Sequence, residues 1–306
     1  MDRQAKFDRR TALKCMAWAG TGLVWTVAGG VPRPLGFVGE AVAASGFTFV
    51  QISDSHIGFA KEANPDTAGT LRAALAKIDA MAVRPDLVVH TGDVTHLAKP
   101  AEFELAAQIL SELKAAPIRF IPGEHDVLDD TPGALYRERF AKGTLGDGWY
   151  SFDQAGVHFV ALVNVVDLQA GGFGKIGDAQ LAWLADDLKA RGSSTPVVVL
   201  AHMPLWTVAE DWGWGTSDAE RALTLLRRFG SVTVLNGHIH QVMQKVEGHV
   251  GFHTAMSTAF PQPAPGTAAS PGPMKVGAER LRQVLGIRSI TVGPPTVVRD
   301  LPLADG

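Results

Sequence analysis

The sequence predicts an α/β layered domain, because strand-like and helix-like segments alternate along the chain. Short runs of β-branched and aromatic residues, each followed by a polar cluster, indicate buried strands. Stretches rich in Ala and Leu with helical spacing lie between these runs. In such a domain the polar groups that follow the strands collect at one edge of the sheet, so this edge is the predicted functional face.

Length and composition fit one large α/β domain or two small ones. The chain has 306 residues, of which 46% are hydrophobic and 19% charged, so its core can bury most of the chain without disulfides. The net charge of −3 argues against a nucleic-acid-binding protein, since such a protein needs an excess of Lys and Arg on one face. The single cysteine excludes an intramolecular disulfide and a thiolate zinc cluster, whereas ten histidines leave room for a metal site of imidazoles and carboxylates.

Residues 1–43 are predicted to be an export signal that is removed, and residues 44–306 the functional domain. Arg9 and Arg10 precede Leu13 and Lys14, and a weakly apolar, Gly-rich run extends from position 15 to about position 31. Positions 41–43 read Ala-Val-Ala, which is typical of a processing site. The segment resembles twin-arginine signals, in which x-F-L-K follows the Arg pair, although Asp8 and the Ala at position 12 depart from that pattern.

A retained membrane anchor is the alternative to a cleaved signal. Four glycines and two threonines make the run poor at spanning the roughly 20 residues of helix that a bilayer requires, which favours cleavage. Export by the twin-arginine machinery would place the protein in the periplasm or outside the cell. Removal of the segment takes away six basic and three acidic residues, so the net charge changes from −3 to −6 and no cysteine remains.

The residue pattern gives the position of each element. The predicted strands cover residues 47–52, 87–89, 118–121, 157–163, 197–200 and 232–235, and the predicted helices cover 67–81, 101–113, 178–190 and 217–229. The last two helices open with Asp178 and Ser217, which are residue types that favour the N-cap position. Residues 261–273 are rich in Pro, Ala, Gly and Ser, which predicts a long surface loop.

Histidine or carboxylate side chains follow five of the predicted strands. They are Asp54 and His56, then Asp93 and His96, then Glu124, His125 and Asp126, then His202, and finally His238 and His240. One histidine after a strand is usually structural, but a succession of them at one edge indicates a metal site. Imidazoles and carboxylates without a thiolate suit divalent or trivalent first-row metals.

So many ligands indicate two metal ions. A shared carboxylate commonly holds two ions roughly 3.5–4 Å apart. Gly92 allows the backbone of Asp93 to approach closely, so Asp93 is the predicted bridge. Side chains alternate along a strand, and both members of the Asp54/His56 pair can therefore address one site. The same holds for the pair His238 and His240.

In their order, these residues resemble the signature of the calcineurin-like metallophosphoesterases, which reads D-x-H, G-D, G-N-H-(D/E), H and G-H-x-H. The resemblance covers about residues 49–240. It implies the fold of that family, a four-layer α/β/β/α sandwich. Residues 174–184, with Gln180, Leu181, Trp183 and Leu184, are also similar to the helix entry of the cyclic-nucleotide phosphodiesterase and purple-acid-phosphatase-like branches.

The resemblance further implies the role of each site residue. One ion would be held by Asp54, His56, Asp93 and His240, and the other by Asp93, Glu124, His202 and His238. His125 would protonate the leaving oxygen, and Asp126 would orient His125. The two ions would be Mn, Fe or Zn, since imidazole and carboxylate suit all three metals.

The reaction implied by the resemblance is hydrolysis of a phosphate monoester or diester by a hydroxide that bridges the two ions. The expected partner is a small phosphoester substrate. Specificity loops vary between proteins of one fold while the ligands stay fixed, so the sequence leaves both monoester and diester open.

Glu124 departs from the family pattern, which has a neutral Asn ligand at this position. As a ligand, Glu124 would tighten binding of the second ion and make that ion a weaker Lewis acid. If Glu124 turned away, the second ion would bind weakly or not at all. The alternative function is therefore a metal- or phosphate-binding module of the same fold with little or no turnover.

Other residues near the motifs have two interpretations each. His96 is a candidate substrate contact or a partner that orients a ligand. Trp206, Trp212 and Trp214 are candidates for an aromatic wall of the substrate cleft, and core packing or a surface lid is the alternative. His90 and His158 are expected to be structural.

Overall fold

The computed structural model describes residues 25–28, 31–34, 46–293 and 296–304. Within the predicted signal segment it describes only two short strands, β1 (Trp25–Ala28) and β2 (Val31–Pro34), which pair antiparallel. The rest of residues 1–43, including the Arg pair and the predicted processing site, lies outside the described residues. None of the helices in the described ranges has the length and apolar character that a membrane span needs.

The smaller of two face-to-face sheets has five strands. They are β3 (Phe47–Ile52), β4 (Leu87–Thr91), β5 (Ile118–Ile121), β12 (Gly286–Val292) and β13 (Val297–Pro302). The spatial order is β13-β12-β3-β4-β5. Strands β3, β4 and β5 run parallel, whereas β12 is antiparallel to both of its neighbours.

The larger sheet has six strands. They are β6 (Tyr150–Gln154), β7 (Val157–Ala161), β8 (Val197–Leu200), β9 (Val232–Asn236), β10 (Met243–Glu247) and β11 (Val250–Thr254). The spatial order is β10-β11-β9-β8-β7-β6, with β7, β8, β9 and β11 parallel. The carboxyl ends of these parallel strands therefore lie along one edge of the sheet.

In the described part of the chain, six α-helices and three 3₁₀ turns connect the strands. The helices are α1 (Thr67–Asp79), α2 (Pro100–Leu110), α3 (Ala134–Phe140), α4 (Asp178–Lys189), α5 (Ala219–Leu226) and α6 (Ala278–Val284). The 3₁₀ turns are Glu124–Val127, Ala170–Gly172 and Glu210–Trp212. The carboxylate of Asp66 caps α1 by accepting the amide of Gly69 at 2.8 Å.

The two predicted N-caps are wrong. Asp178 is the first residue of α4, and the residue before it is Gly177. The N-cap of α5 is Asp218, and Ser217 instead donates its hydroxyl to the carbonyl of Gly174 at 3.0 Å. The carboxylate of Asp218 accepts the amides just before α4, those of residues 176 and 177, at 2.9 Å each. Tertiary hydrogen bonds therefore override the local capping preference at both helices.

Three hydrophobic clusters confirm the four-layer sandwich. Residues of α1 and α2 pack on the outer face of the smaller sheet, through a cluster that contains Leu71, Ile109 and Val88. Residues of α4 and α5 pack in the same way on the larger sheet. On β8, Val199 faces these helices whereas Leu200 faces the layer between the sheets, which is the alternation expected of a strand buried on both faces.

Candidate metal centre

All seven predicted ligands lie together at the carboxyl edge of both sheets. Asp54 and His56 follow β3, Asp93 follows β4, Glu124 follows β5, His202 follows β8, and His238 and His240 follow β9. Every one of these side chains is buried except Glu124 and His238, which are 20% and 11% exposed. The site therefore lies across the seam between the two sheets, and each sheet supplies part of the ligand set.

The first predicted ligand group is compact. Nε2 of His56 lies 3.2 Å from Nε2 of His240 and 3.4 Å from Oδ2 of Asp93. Nε2 of His240 lies 3.4 Å from Oδ1 of Asp54. These donor atoms all point toward one volume, as the ligands of a single ion do.

Glu124 faces the second ligand group and does not turn away. Its two carboxylate oxygens lie 2.8 Å from Nε2 of His202 and 2.8 Å from Nδ1 of His238. Oδ2 of Asp93 lies 3.5 Å from Nε2 of His202 and 3.4 Å from Nε2 of His56, so this oxygen sits between the two groups. Asp93 therefore has the position that the sequence predicts for a bridge.

Several of these donor atoms are buried and form no hydrogen bond with any described residue, since the 2.8 Å contacts of Glu124 with the two imidazoles do not have hydrogen-bond geometry. They are Oδ2 of Asp54, Oε2 of Glu124, Nε2 of His202 and Nδ1 of His238. A buried polar atom without a partner is costly, and four of them in one cluster require a common explanation. A cation supplies the missing partner for all four atoms at once, so the residues fit a metal site.

Backbone carbonyls fix the orientation of two ligand rings. Nδ1 of His202 donates to the carbonyl of Thr91, and Nδ1 of His240 donates to the carbonyl of Phe260, each at 2.6 Å. With the proton on Nδ1, the lone pair of Nε2 points into the site and is free to bind a metal.

Five of the seven ligands have left-handed backbone conformations. Their φ angles are 54° at Asp54, 40° at His56, 52° at Asp93, 69° at His238 and 51° at His240. Such conformations cost energy in residues other than Gly, and they cluster at functional sites. The pairs Asp54/His56 and His238/His240 lie in these turns, after the ends of their strands. The expectation that alternation along a strand directs both side chains of a pair into the site is therefore wrong.

Gly92 and Gly123 provide the space that the ligands occupy. Gly92 has a φ of 97°, and a Cβ atom there would overlap the ring of His202 and the amide of Gly123. A Cβ atom on Gly123 would overlap the carboxylate of Asp93. The space beside Gly92 is therefore occupied by the ring of His202 and the amide of Gly123, whereas the sequence predicts a close approach by the backbone of Asp93.

The imidazoles keep the carboxylates ionised. Burial alone would raise the pKa of Asp54, but the charges of His240 and His202 lower it to about 2. Burial also opposes ionisation of Glu124, yet His238 and His202 hold the pKa of its carboxyl well below the usual value. The carboxylates are therefore negatively charged and ready to bind cations.

His125 lies beside the first ligand group. Its ring is 4.8 Å from the ring of His56 and stacks on the ring of His96 at 4.9 Å. Its amide donates to Oδ1 of Asp93 at 2.9 Å. Burial lowers the pKa of His125, but the charges of Asp93 and Glu124 outweigh burial and raise it above the usual value. A raised pKa favours the protonated ring that a general acid requires.

Asp126 does not orient His125 as the family pattern implies. Its carboxylate accepts the amides of Val94, Thr95 and Gly123 at 2.8–3.0 Å, which leaves it engaged with the backbone. Nδ1 of His125 donates instead to the carbonyl of His96 at 2.6 Å. The backbone at position 96 therefore orients the ring, and Asp126 joins the loops after β4 and β5.

His96 lies at the mouth of the site. Its side chain is partly exposed, and Nδ1 lies 3.3 Å from Nδ1 of His56. Burial, together with the charges of nearby His125, Lys61 and Lys99, lowers the pKa of His96 to about 4 against the opposing charge of Asp93. The ring is therefore a neutral group placed between the ligands and solvent.

The predicted aromatic wall is only partly present. Trp206 packs against Phe252 at 5.2 Å on the core between the larger sheet and its helices, so the core interpretation is correct for this residue. Trp212 contacts Trp214 edge-on at 4.8 Å, and the buried Trp214 ring lies 6.3 Å from the ring of His238. Trp214 is therefore the indole nearest to a ligand.

Two further residues beside the ligands support the site. Phe260 stacks at 4.8 Å on both His56 and His240, but no motif surrounds it in the sequence. Asn164 donates to the carbonyl of Met203 at 2.9 Å and so holds the turn that carries His202. In the sequence, only the position of Asn164 directly after the predicted strand 157–163 pointed to this role.

His90 and His158 are structural, as expected. His90 is buried, contacts the hydroxyl of Ser55 at 2.7 Å and accepts the amide of Gly92 at 3.3 Å. His158 is buried between the carboxylates of Asp153 and Asp187, at 2.9 and 2.7 Å.

The family model for calcineurin-like phosphoesterases matches residues 47–242, which include every ligand described above. The chain belongs to the calcineurin-like phosphoesterase family. This is a family of metal-dependent phosphoesterases, which are hydrolases.

Curated members of the family with similar sequences include phosphodiesterases. The chain is 29% identical over 173 residues to the glycerophosphodiester phosphodiesterase GpdQ of Enterobacter lignolyticus, an alignment that covers 55% of this chain and 60% of GpdQ. It is 27% identical to the 3′,5′-cyclic adenosine monophosphate phosphodiesterase CpdA of Pseudomonas aeruginosa, over 72% of this chain and 78% of CpdA. The chain thus spans less than two thirds of the length of GpdQ.

Solved structures of phosphatases have the same fold. A dimetal phosphatase from Danio rerio superposes with a TM-score of 0.65 at 17% identity, covering 85% of this chain and 97% of that one. The purple acid phosphatase PPD1 of yellow lupin superposes with a TM-score of 0.63 at 14% identity, covering 86% of this chain and 52% of that one.

Proposed function

We propose that the protein hydrolyses small phosphate diesters or monoesters at a centre of two metal ions. The observation that carries this proposal is the position of Asp93, whose Oδ2 atom lies 3.4 and 3.5 Å from one imidazole of each ligand group. A carboxylate shared in this way is the usual bridge between two ions. One group then comprises Asp54, His56, Asp93 and His240, and the other Asp93, Glu124, His202 and His238.

The two ions, which we propose to be Mn, Fe or Zn, supply charge stabilisation at the phosphoryl oxygens and a water of lowered pKa as the nucleophile. The chain supplies the rest. His125 holds a proton at the edge of the site, with its ring fixed by the carbonyl of His96. It donates this proton to the leaving oxygen, which otherwise departs as an unstable alkoxide.

The mouth of the site attracts anionic substrates in spite of the acidic ligand set. Lys61 and Lys99 are exposed and lie close enough to His96 to lower its pKa. Their positive charge steers a phosphoester toward the ions. The neutral ring of His96 can then contact the ester group that projects from the phosphate.

The carboxylate of Glu124 supports an active centre rather than a defective one. Its contacts at 2.8 Å with His202 and His238 support its role as a ligand of the second ion. Its charge opposes phosphate binding to some degree and strengthens metal binding, so tight retention of the second ion is the expected consequence.

Hydrolysis of bis-p-nitrophenyl phosphate and p-nitrophenyl phosphate by purified protein loaded with Mn, Fe or Zn tests this function. We expect turnover of at least one substrate and two equivalents of bound metal. The matched variant Asp93→Asn should bind fewer ions and lose turnover, because an amide cannot bridge two cations. Two bound equivalents without hydrolysis of either ester would instead favour the metal-binding module.

We propose in addition that residues 1–43 direct export by the twin-arginine machinery and are then removed. The Arg9 and Arg10 pair and the Ala-Val-Ala sequence before position 44 support this proposal. N-terminal sequencing of the protein from a periplasmic fraction should give a first residue near position 44. Substitution of both arginines by lysine should retain the protein in the cytoplasm, and export of that double variant at the native level would contradict the proposal.

A further inference from the structure

A row of buried polar side chains lies beneath the ligands, in the layer between the two sheets. Gln51 on β3, Arg288 on β12 and Asp300 on β13 are successive cross-strand neighbours in the smaller sheet. Gln51 and Arg288 face the other sheet, because Phe49 and Ile290, two residues away on the same strands, belong to the core between the sheets. Exposure is 0% for Gln51 and 1% for Arg288, so both depend on protein partners for their hydrogen bonds.

Arg288 binds both sheets. Nε donates to Oδ1 of Asp300 at 2.8 Å within the smaller sheet. Nη2 donates to the carbonyl of Thr254, the last residue of β11 in the larger sheet, also at 2.8 Å. Nη1 faces Oε1 of Gln51 at 3.5 Å, which leaves the amide nitrogen of Gln51 free to donate elsewhere.

Gln51 continues the row to the strands that carry ligands. Nε2 donates to the hydroxyl of Thr91 at 2.9 Å and to the carbonyl of Asn236 at 3.1 Å. Thr91 is the last residue of β4 and Asn236 the last residue of β9. Asp93 and His238 follow them by two residues, so one amide group joins the starting points of two ligand turns that belong to different sheets.

The same two residues hold His202. The carbonyl of Thr91 accepts Nδ1 of the His202 ring at 2.6 Å. The amide nitrogen of Asn236 donates to the carbonyls of Ala201 and Met203, on either side of His202, at 2.7 and 3.1 Å. The row that begins at Arg288 therefore ends on the backbone and ring of a ligand.

The distance between the sheets matters because each ligand group draws on both of them. In the first group His240 comes from the larger sheet, and in the second group His202 and His238 do. A shift of one sheet against the other changes these ligand distances directly, whereas metal sites tolerate deviations of only about 0.2 Å. The apolar contacts between the sheets are non-directional, so the spacing depends on hydrogen bonds that cross the seam, among them those of the row and the bond from the amide of His238 to Oδ1 of Asp54 at 3.0 Å.

We propose that Gln51 and Arg288 are positioning residues of the metal centre, which hold the carboxyl ends of the two sheets at the separation that the ligands require. Arg288 and Asp300 lie outside residues 47–242, where the family model matches. The hairpin of β12 and β13 thus contributes to the site from a part of the chain beyond the motifs. This inference rests on the proposed two-metal function.

The test is a titration of metal-free protein with Mn²⁺. Isothermal calorimetry measures the affinity, and electron paramagnetic resonance detects the signal of exchange-coupled Mn²⁺ pairs. Arg288→Met keeps most of the side-chain volume and removes the hydrogen bonds to both sheets. We expect it to weaken Mn²⁺ binding by about tenfold or more, as loss of outer partners of metal ligands does, and to diminish the coupled signal. Arg288→Lys should restore part of the affinity, since it keeps a donor at this position.

Ile109→Ala is the matched control, because it destabilises the outer core between α2 and the smaller sheet without touching the seam. We expect it to keep the affinity and the coupled signal of the native protein. Native affinity in Arg288→Met, or an equal loss in Ile109→Ala, would overturn the inference.

Gln51→Glu serves if Arg288→Met does not fold. This variant keeps the shape of the side chain and an oxygen partner for Arg288, but it removes the bonds that Nε2 donates to Thr91 and Asn236. We expect weaker Mn²⁺ binding, and native binding would refute the positioning role. A native protein that binds two Mn²⁺ without hydrolysing esters would contradict the proposed function instead. The comparison of affinities between variants would still decide whether the row positions the ligands.

Discussion

Acid should destabilise the protein through two buried histidines that are not ligands. Burial lowers the pKa of His90 from 6.5 to about 3. Burial, together with the positive charge of Arg288, lowers the pKa of His253 from 6.5 to about 4. Both imidazoles therefore stay neutral in the folded protein at a pH where the unfolded chain binds a proton on each of them.

The sign and size of this effect follow from proton linkage. Because the folded pKa lies below the unfolded one, the free energy of unfolding is at its full value above about pH 6.5 and decreases as the pH falls toward the folded pKa. At about pH 5.5 each histidine increases the equilibrium constant of unfolding roughly tenfold over its value at high pH, which lowers the free energy of unfolding by about 1.4 kcal/mol per histidine. His90 and His253 together should therefore remove about 3 kcal/mol between about pH 8 and about pH 5.5.

Urea unfolding of metal-free protein at these two pH values measures the loss. His90→Gln keeps a polar side chain next to Ser55 but cannot bind a proton, so its loss should be about 1.4 kcal/mol smaller than that of the native protein. Ile78→Val, which destabilises the core without removing an ionisable group, is the control and should show the native dependence on pH. An identical loss in the native protein and in His90→Gln would refute the reasoning.

Three further substitutions test the centre itself. Gly92→Ala should lower both the melting temperature and the amount of bound metal, because the new Cβ overlaps the ring of His202 and the φ of 97° at this position is unfavourable for Ala. Calorimetry and metal analysis measure the two quantities, and native values of both would contradict this prediction. Glu124→Gln keeps the side-chain shape but removes a charge, so dialysis followed by metal analysis should find one ion where the native protein keeps two. His125→Ala should lower kcat by roughly 10²-fold for esters with a poorly acidic leaving alcohol and much less for p-nitrophenyl esters, whose leaving group needs no proton. Equal losses on both kinds of ester would exclude the general-acid role.

The central strands and the ligand types could be predicted from the sequence because each depends on local information. Strands β3, β5 and β8 have the predicted bounds, and in β3 and β8 the run is almost entirely buried. Strand β10 was missed because most of its residues are exposed and polar, and it exists only through pairing with β11. The β12–β13 hairpin was also missed, although most of β12 is buried, including Arg288.

The directions of side chains in the site could not be predicted, because they depend on tertiary contacts. Trp206 and Trp214 lie in the same tryptophan-rich segment, yet one packs on the core and the other approaches His238. The family pattern pairs Asp126 with His125, but three backbone amides around Asp126 compete successfully for its carboxylate. Sequence spacing specifies which residues reach the edge of the sheets, and hydrogen bonds formed on folding decide what each of them faces.

The left-handed ligand turns connect stability to metal binding. A left-handed conformation costs about 1–2 kcal/mol in a residue other than Gly, and five ligands adopt it here. Local preference therefore opposes the ligand geometry at Asp54, His56, Asp93, His238 and His240, and contacts elsewhere must hold it. The core between the sheets and the Gln51–Arg288 row hold these turns from the protein side. A bound cation would hold them from the site, by contacting donor atoms that otherwise lack hydrogen-bond partners. Since metal binds this arrangement and not the unfolded chain, binding free energy adds to folding free energy, and removal of the metal leaves the strained turns to be held by the sheets alone.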